Sequence, residues 1–152
     1  MSQKISKDTP LAEITLRRYE KPYDLDQREL VKKICLSLGL LQPGDSRDVI
    51  VDILLVLLNA RTEKRILNSS EIEGLVTKER EKASVPILGI SAPNIRRQLK
   101  RLKDLFLIEN IDNGYRIVEF EKLGIIFDEK IKSFYLKNII NRVKDYLNEL
   151  DK

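Results

Sequence analysis

The stretch that decides the fold runs Gly89-Ile-Ser-Ala-Pro-Asn-Ile-Arg-Arg-Gln-Leu-Lys-Arg-Leu-Lys-Asp-Leu-Phe-Leu-Ile-Glu-Asn-Ile-Asp-Asn-Gly-Tyr-Arg-Ile117. Its first half has the signature of a capped helix. Ser91 is a good N-cap, and Pro93 falls in the first turn, where a missing N–H costs nothing. Ile95, Leu99, Leu102 and Phe106 recur at steps of three and four and so share one face. Every charge from Ser91 to Lys103 is positive: Arg96, Arg97, Lys100, Arg101 and Lys103. At about 100° per residue, Arg97 points away from the apolar stripe with Lys100 and Arg101 on either side of it. The second half reads as a β-hairpin, with Asn113-Gly114 as the two central residues of a type I′ turn, which need positive φ.

The surrounding chain supplies more helices. Asp26-x-x-Glu29 looks like a capping box, and the helix it opens sets Leu30, Val31, Ile34, Cys35 and Leu38 on one side, with Gly39 as a stop. After the Pro43-Gly44 turn, Asp45 or Ser46 is placed to cap a helix running through Asn59. Its run Val49–Leu58, interrupted only by Asp52, is apolar almost all round and belongs at the centre of a core. Ser70-x-x-Glu73 reads as a further capping box, with Ile72, Leu75 and Val76 on one face. The segment 77–88 is either a continuation of that helix or a long loop. The Lys78, Arg80 and Lys82 cluster alternates with Glu79 and Glu81 and reads as a solvated helix end. Residues 1–10 are polar and expected to fray, and Leu11–Glu20 is a candidate strand in which Ile14 and Leu16 alternate with polar neighbours. Near the other end, Asp128 is placed to cap a helix to about Glu149. There Leu136, Ile140, Val143, Leu147 and Leu150 form a heptad seam widened by Tyr135, Ile139 and Tyr146.

Gly89-Ile90-Ser91, followed by Ile95, Leu99, Leu102 and Leu107-Ile108, resembles the winged helix-turn-helix family, over roughly 46–118. The general look, rich in Ile, Leu, Lys and Glu, is similar to small archaeal transcription regulators. The resemblance implies a mainly α fold with a small β-hairpin, in which 91–105 is a recognition helix and 107–118 a wing. The chain then divides into an N-terminal arm (1–25), a winged domain with a preceding helix (26–118) and, on the heptad seam, an expected C-terminal dimerisation helix (119–152). One departure stands out: such domains join their two helices by three or four residues, whereas twelve, Thr77–Leu88, lie between Val76 and Gly89 here.

Composition narrows the function. The 152 residues carry 28 basic and 24 acidic side chains. The two termini (1–26 and 119–152) are each neutral, so the whole excess of four positive charges lies in 27–118. That asymmetry favours a polyanionic partner. There is no histidine and one cysteine, Cys35, so the usual zinc sites, disulfides and His-based triads are not expected, and neither a metal nor another cofactor is implied. Neither a Gly-rich phosphate loop nor a nucleophile with a partner base is visible, and an enzyme is not expected. The longest apolar run is too short to span a membrane, and the cytoplasm is the expected compartment.

These readings converge on sequence-specific binding of double-stranded DNA by a homodimer, as in a transcription regulator. Lys100 and Lys103 suit phosphates, while Asn94 and Arg97, near the helix N-terminus, could read adenine and guanine edges. Ser91, Arg96 and Arg101 complete the helix contacts, and Asn113 and Arg116 are the wing candidates. Tyr135, Leu136, Ile140, Val143, Tyr146, Leu147 and Leu150 are the dimerisation candidates. The alternative is a protein-interaction module in a transcription or chromosome-maintenance complex, its basic face meeting an acidic partner. A cationic helix face can also be simply solvated.

Overall fold

The computed structural model describes residues 7–152, so the fraying expected of 1–6 lies outside the described residues. The chain is mainly helical with one two-stranded antiparallel hairpin. Four helices come first: α1 (Gln27–Ser37), α2 (Val49–Thr62), α3 (Ser69–Lys82) and α4 (Ala92–Asp104). The strands β1 (Ile108–Ile111) and β2 (Gly114–Ile117) follow. A 3₁₀ turn, Val118–Phe120, leads to a rod built from α5 (Leu123–Ile126), a π-helical stretch (Phe127–Leu136) and α6 (Lys137–Leu150). Right-handed helical backbone at both junctions makes the rod continuous.

The apolar run of α2 determines where the core lies. Val49 to Leu58 are all buried, and α2 packs against α1, α3, α4 and β2. Ile72 and Val76 of α3 and Ile95, Leu99 and Leu102 of α4 close over it. Phe106, expected on the α4 stripe, lies beyond the helix end at φ 67° and is only half-buried. Cys35 is buried, which pushes its thiol pKa up to about 12.

Several caps differ from expectation. Asp26 caps α1 as expected, accepting the Glu29 N–H at 2.8 Å, and α1 stops before Gly39 (φ 72°). The N-cap of α2 is Asp48 rather than Asp45 or Ser46, and its carboxylate caps nothing because it is engaged by guanidiniums. The capping box of α3 is Asn68 with Glu71, two residues before Ser70-x-x-Glu73: Asn68 Oδ1 accepts the Glu71 N–H at 2.8 Å, and the Glu71 carboxylate accepts the Asn68 N–H at 3.1 Å. An Asn with an acid at N3 meets the same chemical requirement as the serine pair. The open segment 77–88 divides, helix to Lys82 and loop beyond. Asp128 lies inside the rod, which begins at Leu123 without a side-chain cap.

The arm is not a strand. Residues 12–23 form neither helix nor strand, because the arm meets the C-terminal end of a helix instead of a sheet edge. Arg17 donates its N–H to Ser37 O (2.8 Å) and its guanidinium to Leu36 O (2.8 Å) and Leu41 O (3.1 Å). Helix α1 has no basic residue in its own last turn, so Arg17 supplies the cation that its dipole favours.

A buried ion network spans the helices. Asp52, on α2, accepts from Arg28 of α1 at 3.1 and 3.2 Å and from Arg80 of α3 at 2.6 Å. Arg80 also reaches Asp48 at 3.0 Å and the Pro86 carbonyl at 2.7 Å. The reading of Lys78, Arg80 and Lys82 as a solvated end is therefore corrected at Arg80, whose side chain is buried.

The hairpin pairs Ile108 with Ile117, Glu109 with Arg116, Asn110 with Tyr115 and Ile111 with Gly114. Its turn residues are Asp112 and Asn113, both at positive φ (51° and 61°), one position earlier than Asn113-Gly114. Gly114 is needed for a different reason. A Cβ there would overlap Ile66 Cγ2 and press on the Leu67 carbonyl, because Leu67 and Tyr115 exchange two backbone hydrogen bonds (3.0 and 2.7 Å) as a β-bridge.

Two outcomes follow for stability. Arg80→Ala removes one partner of a buried network and should cost about 3–5 kcal/mol in urea unfolding; a loss near that of an exposed arginine would show that the network is not stabilising. Backbone N–H bonds hold the Asp26 and Glu71 carboxyls below the usual carboxylate range. Folded values below unfolded ones give stability that is present above about pH 4 and lost as pH falls. Asp26→Asn with Glu71→Gln should therefore show a smaller drop in urea midpoint than the parent between neutral and acid pH.

Candidate nucleic-acid interface

Helix α4 turns Ile95, Leu99 and Leu102 into the core, and that places its cations outward. Arg96, Arg97, Lys100, Arg101 and Lys103 are all exposed. One carboxylate meets them directly: Lys100 pairs with Asp104 at 2.8 Å, across two well-exposed side chains. Arg97 donates to Asn94 Oδ1 (3.3 Å) and Arg101 to Gln98 Oε1 (2.9 Å), both neutral amides. No ion pair engages Arg96 or Lys103 among the described residues. The face is therefore a positive ridge with Asp104 at its C-terminal end and Asp45, from the loop before α2, within electrostatic range of Arg101.

The N-terminal end of the ridge is built by side-chain bonds. Ser91 Oγ accepts the Asn94 N–H at 3.4 Å. The Asn94 amide donates to Gly89 O at 2.7 Å while its Oδ1 receives Arg97 and Gln98. Asn94 is thus half-buried and fixes the loop–helix junction at the end of the ridge. The preceding loop leaves Ile87 and Leu88 exposed beside that end.

The wing candidates separate. Asn113 is exposed at the hairpin tip. Arg116 is occupied: its Nε is 2.8 Å from Glu109 Oε2, and its guanidinium lies 4.8 Å from the Phe120 ring centroid. Glu109 sits directly across the ladder, an opposite-charge pair that stabilises the hairpin itself. Arg116 thus has a structural partner of its own within the hairpin.

The dimerisation candidates separate too. Tyr135 is held within its own chain, edge-on to Phe106 at 5.3 Å, with its hydroxyl donating to Glu13 O (3.0 Å) and accepting from Glu13 N (3.2 Å). Leu136 is half-buried. Ile140, Val143, Tyr146, Leu147 and Leu150 are exposed at 53–82% on α6, which has no buried residue.

No group of three or more His, Cys, Asp or Glu side chains that could hold a metal occurs among the described residues. No described helix is long and apolar enough to cross a membrane. Compared with known families, characterised proteins and solved structures, the chain matches none.

Sequence reasoning missed the Arg28–Asp48–Asp52–Arg80 network, which fixes the helices behind the ridge. One signal was available, an aspartate inside an otherwise apolar helical run, since a buried charge requires a partner.

Proposed function

We propose that residues 49–117 form a winged helix-turn-helix unit that binds double-stranded DNA as a homodimer and acts as a transcription regulator. The observation that carries this reading is the exposed, almost acid-free cationic face of α4. The element order supports it: a central helix, a bridge at Leu67, two further helices and a hairpin that pairs back onto the bridge through Tyr115. In this reading α4 enters the major groove, with Arg96 and Arg97 nearest the bases and Lys100, Arg101 and Lys103 toward phosphates. The hairpin approaches the flanking backbone by its Asn113 tip. The exposed apolar face of α6 joins two subunits, which would address half-sites roughly 34 Å apart or a multiple of that spacing.

Gel shifts on genomic fragments over a salt series test the DNA reading, each phosphate contact adding about 0.9 to the log–log slope. Arg97→Glu with Arg101→Glu should abolish the shift while leaving the circular dichroism spectrum unchanged, since neither residue packs in the core. Binding that is absent, or flat against salt, rejects the reading. Capture of a stoichiometric acidic protein after nuclease treatment would then favour a protein-interaction module. The subunit contact has its own test: Val143→Asp with Leu147→Asp should give monomers in light scattering.

A further inference from the structure

Beyond pairing through α6, the molecule carries a second unfilled apolar surface. A groove of about 410 Å³ lies between the arm, α1 and the base of the rod, lined by Leu25, Leu30, Ile34, Leu38, Leu123 and Phe127. Leu30, expected among the core positions of α1, is 39% exposed at its edge. Gly124 adds to the opening, since a Cβ there would meet nothing within 4 Å.

Two α6 helices meeting only each other make a poor dimer. Their seam, with Leu136, Val143 and Leu150 at d and Ile140 and Leu147 at a, covers about two heptads where three to four are usual. Its g positions are Ile139 and Tyr146, so the g–e′ ion pairs that select a two-stranded coil are missing. A stripe that is apolar at a, d and g is as wide as one that packs into a groove. Five partly exposed side chains also fall short of the roughly 800 Å² that each partner gives to a stable interface.

We propose that two copies of the chain pair with their rods antiparallel, the end of each α6 seated in the other copy's groove between α1 and α5. With the two-fold axis near Lys137, Leu147 of one copy faces Phe127 of the other, and Leu150 arrives over Gly124. The same register sets Ile140 beside Phe134, which is itself 56% exposed. The paired length becomes that of the whole rod, 28 residues or about 42 Å, and both unfilled surfaces are covered twice. The arrangement rests on the dimer reading above and adds to it the groove as the docking surface.

The test separates the two. Leu30→Asp alters the groove, leaves α6 untouched and should turn a dimer into a monomer in light scattering with unchanged helicity. Adding Leu147→Lys should restore the dimer by placing an ion pair at the same contact. A short bismaleimide should link Leu30→Cys, Leu147→Cys double variants between subunits, without interference from the buried thiol of Cys35. Val143→Cys alone should not link, because the two positions stand about 18 Å apart along an antiparallel pair, whereas a parallel coil brings them together. A dimer that survives Leu30→Asp, or that cross-links through Val143→Cys, overturns the groove and leaves the dimer standing. A parent protein that is monomeric overturns both.

Discussion

The placement of the cationic helix depends on a charge buried in an apolar helix. Asp52 lies fully buried in the first turn of α2, where water cannot solvate it, and two guanidiniums from different helices satisfy it instead. An uncompensated carboxylate there would be costly, so the fold favours α1 and α3 meeting α2 at the positions where Arg28 and Arg80 can reach. Apolar contacts alone specify position loosely, because Leu and Ile faces can slide by part of a turn. Hydrogen bonds to a single carboxylate leave little such freedom. Arg80 then extends the constraint by donating its Nε–H to Pro86 O, which ties down the long loop from α3 to α4. The network thus fixes where α4 begins, although it touches no residue of α4.

That arrangement also accounts for the uneven legibility of the sequence. Helix α2 was evident because nine of the ten positions from Val49 to Leu58 are apolar, a pattern that tertiary context could not override. The α4 stripe and the hairpin were evident for a similar reason: period, cap and turn residues all agreed. The errors fell where two chemically equivalent candidates lay a few residues apart. Asn68-x-x-Glu71 and Ser70-x-x-Glu73 are both competent boxes, and only the bridge at Leu67 decides between them by fixing where the chain turns. Asp112-Asn113 and Asn113-Gly114 can both form the hairpin turn, and the decision comes from Ile66 and Leu67 packing against position 114. In both cases the arbiter is a contact distant in sequence.

At the ridge, the residue types were legible and their individual availability was not. Spacing puts Arg96, Arg97, Lys100, Arg101 and Lys103 outward, and they are outward. Spacing cannot show that Asn94 spends its amide on Gly89, or that Arg116 faces Glu109 across the ladder, because these depend on loop path and strand register. Arg80 shows the same limit in the opposite sense. Alternation with glutamates gave it the pattern of a solvated residue, yet its position opposite Asp52 draws it inside.

The partners of the ridge arginines bear on what the face can do. Arg97 and Arg101 are held by Asn94 and Gln98, neutral amides one turn away. A carboxylate in either place would cancel the charge as well as fix the side chain. An amide restricts the guanidinium while leaving its full charge in the field of the helix. Long side chains lose roughly 0.5–1.5 kcal/mol each when immobilised on binding, and part of that loss has already been met here at folding. Both hydrogen bonds are exposed and end on neutral acceptors, weaker than bidentate pairing of a guanidinium with an anion. Asp104 lies at the C-terminal end, where it relieves Lys100 and forms no hydrogen bond to the arginines, while Asp45 acts on Arg101 through space. A face of this kind keeps its charge and gives up flexibility.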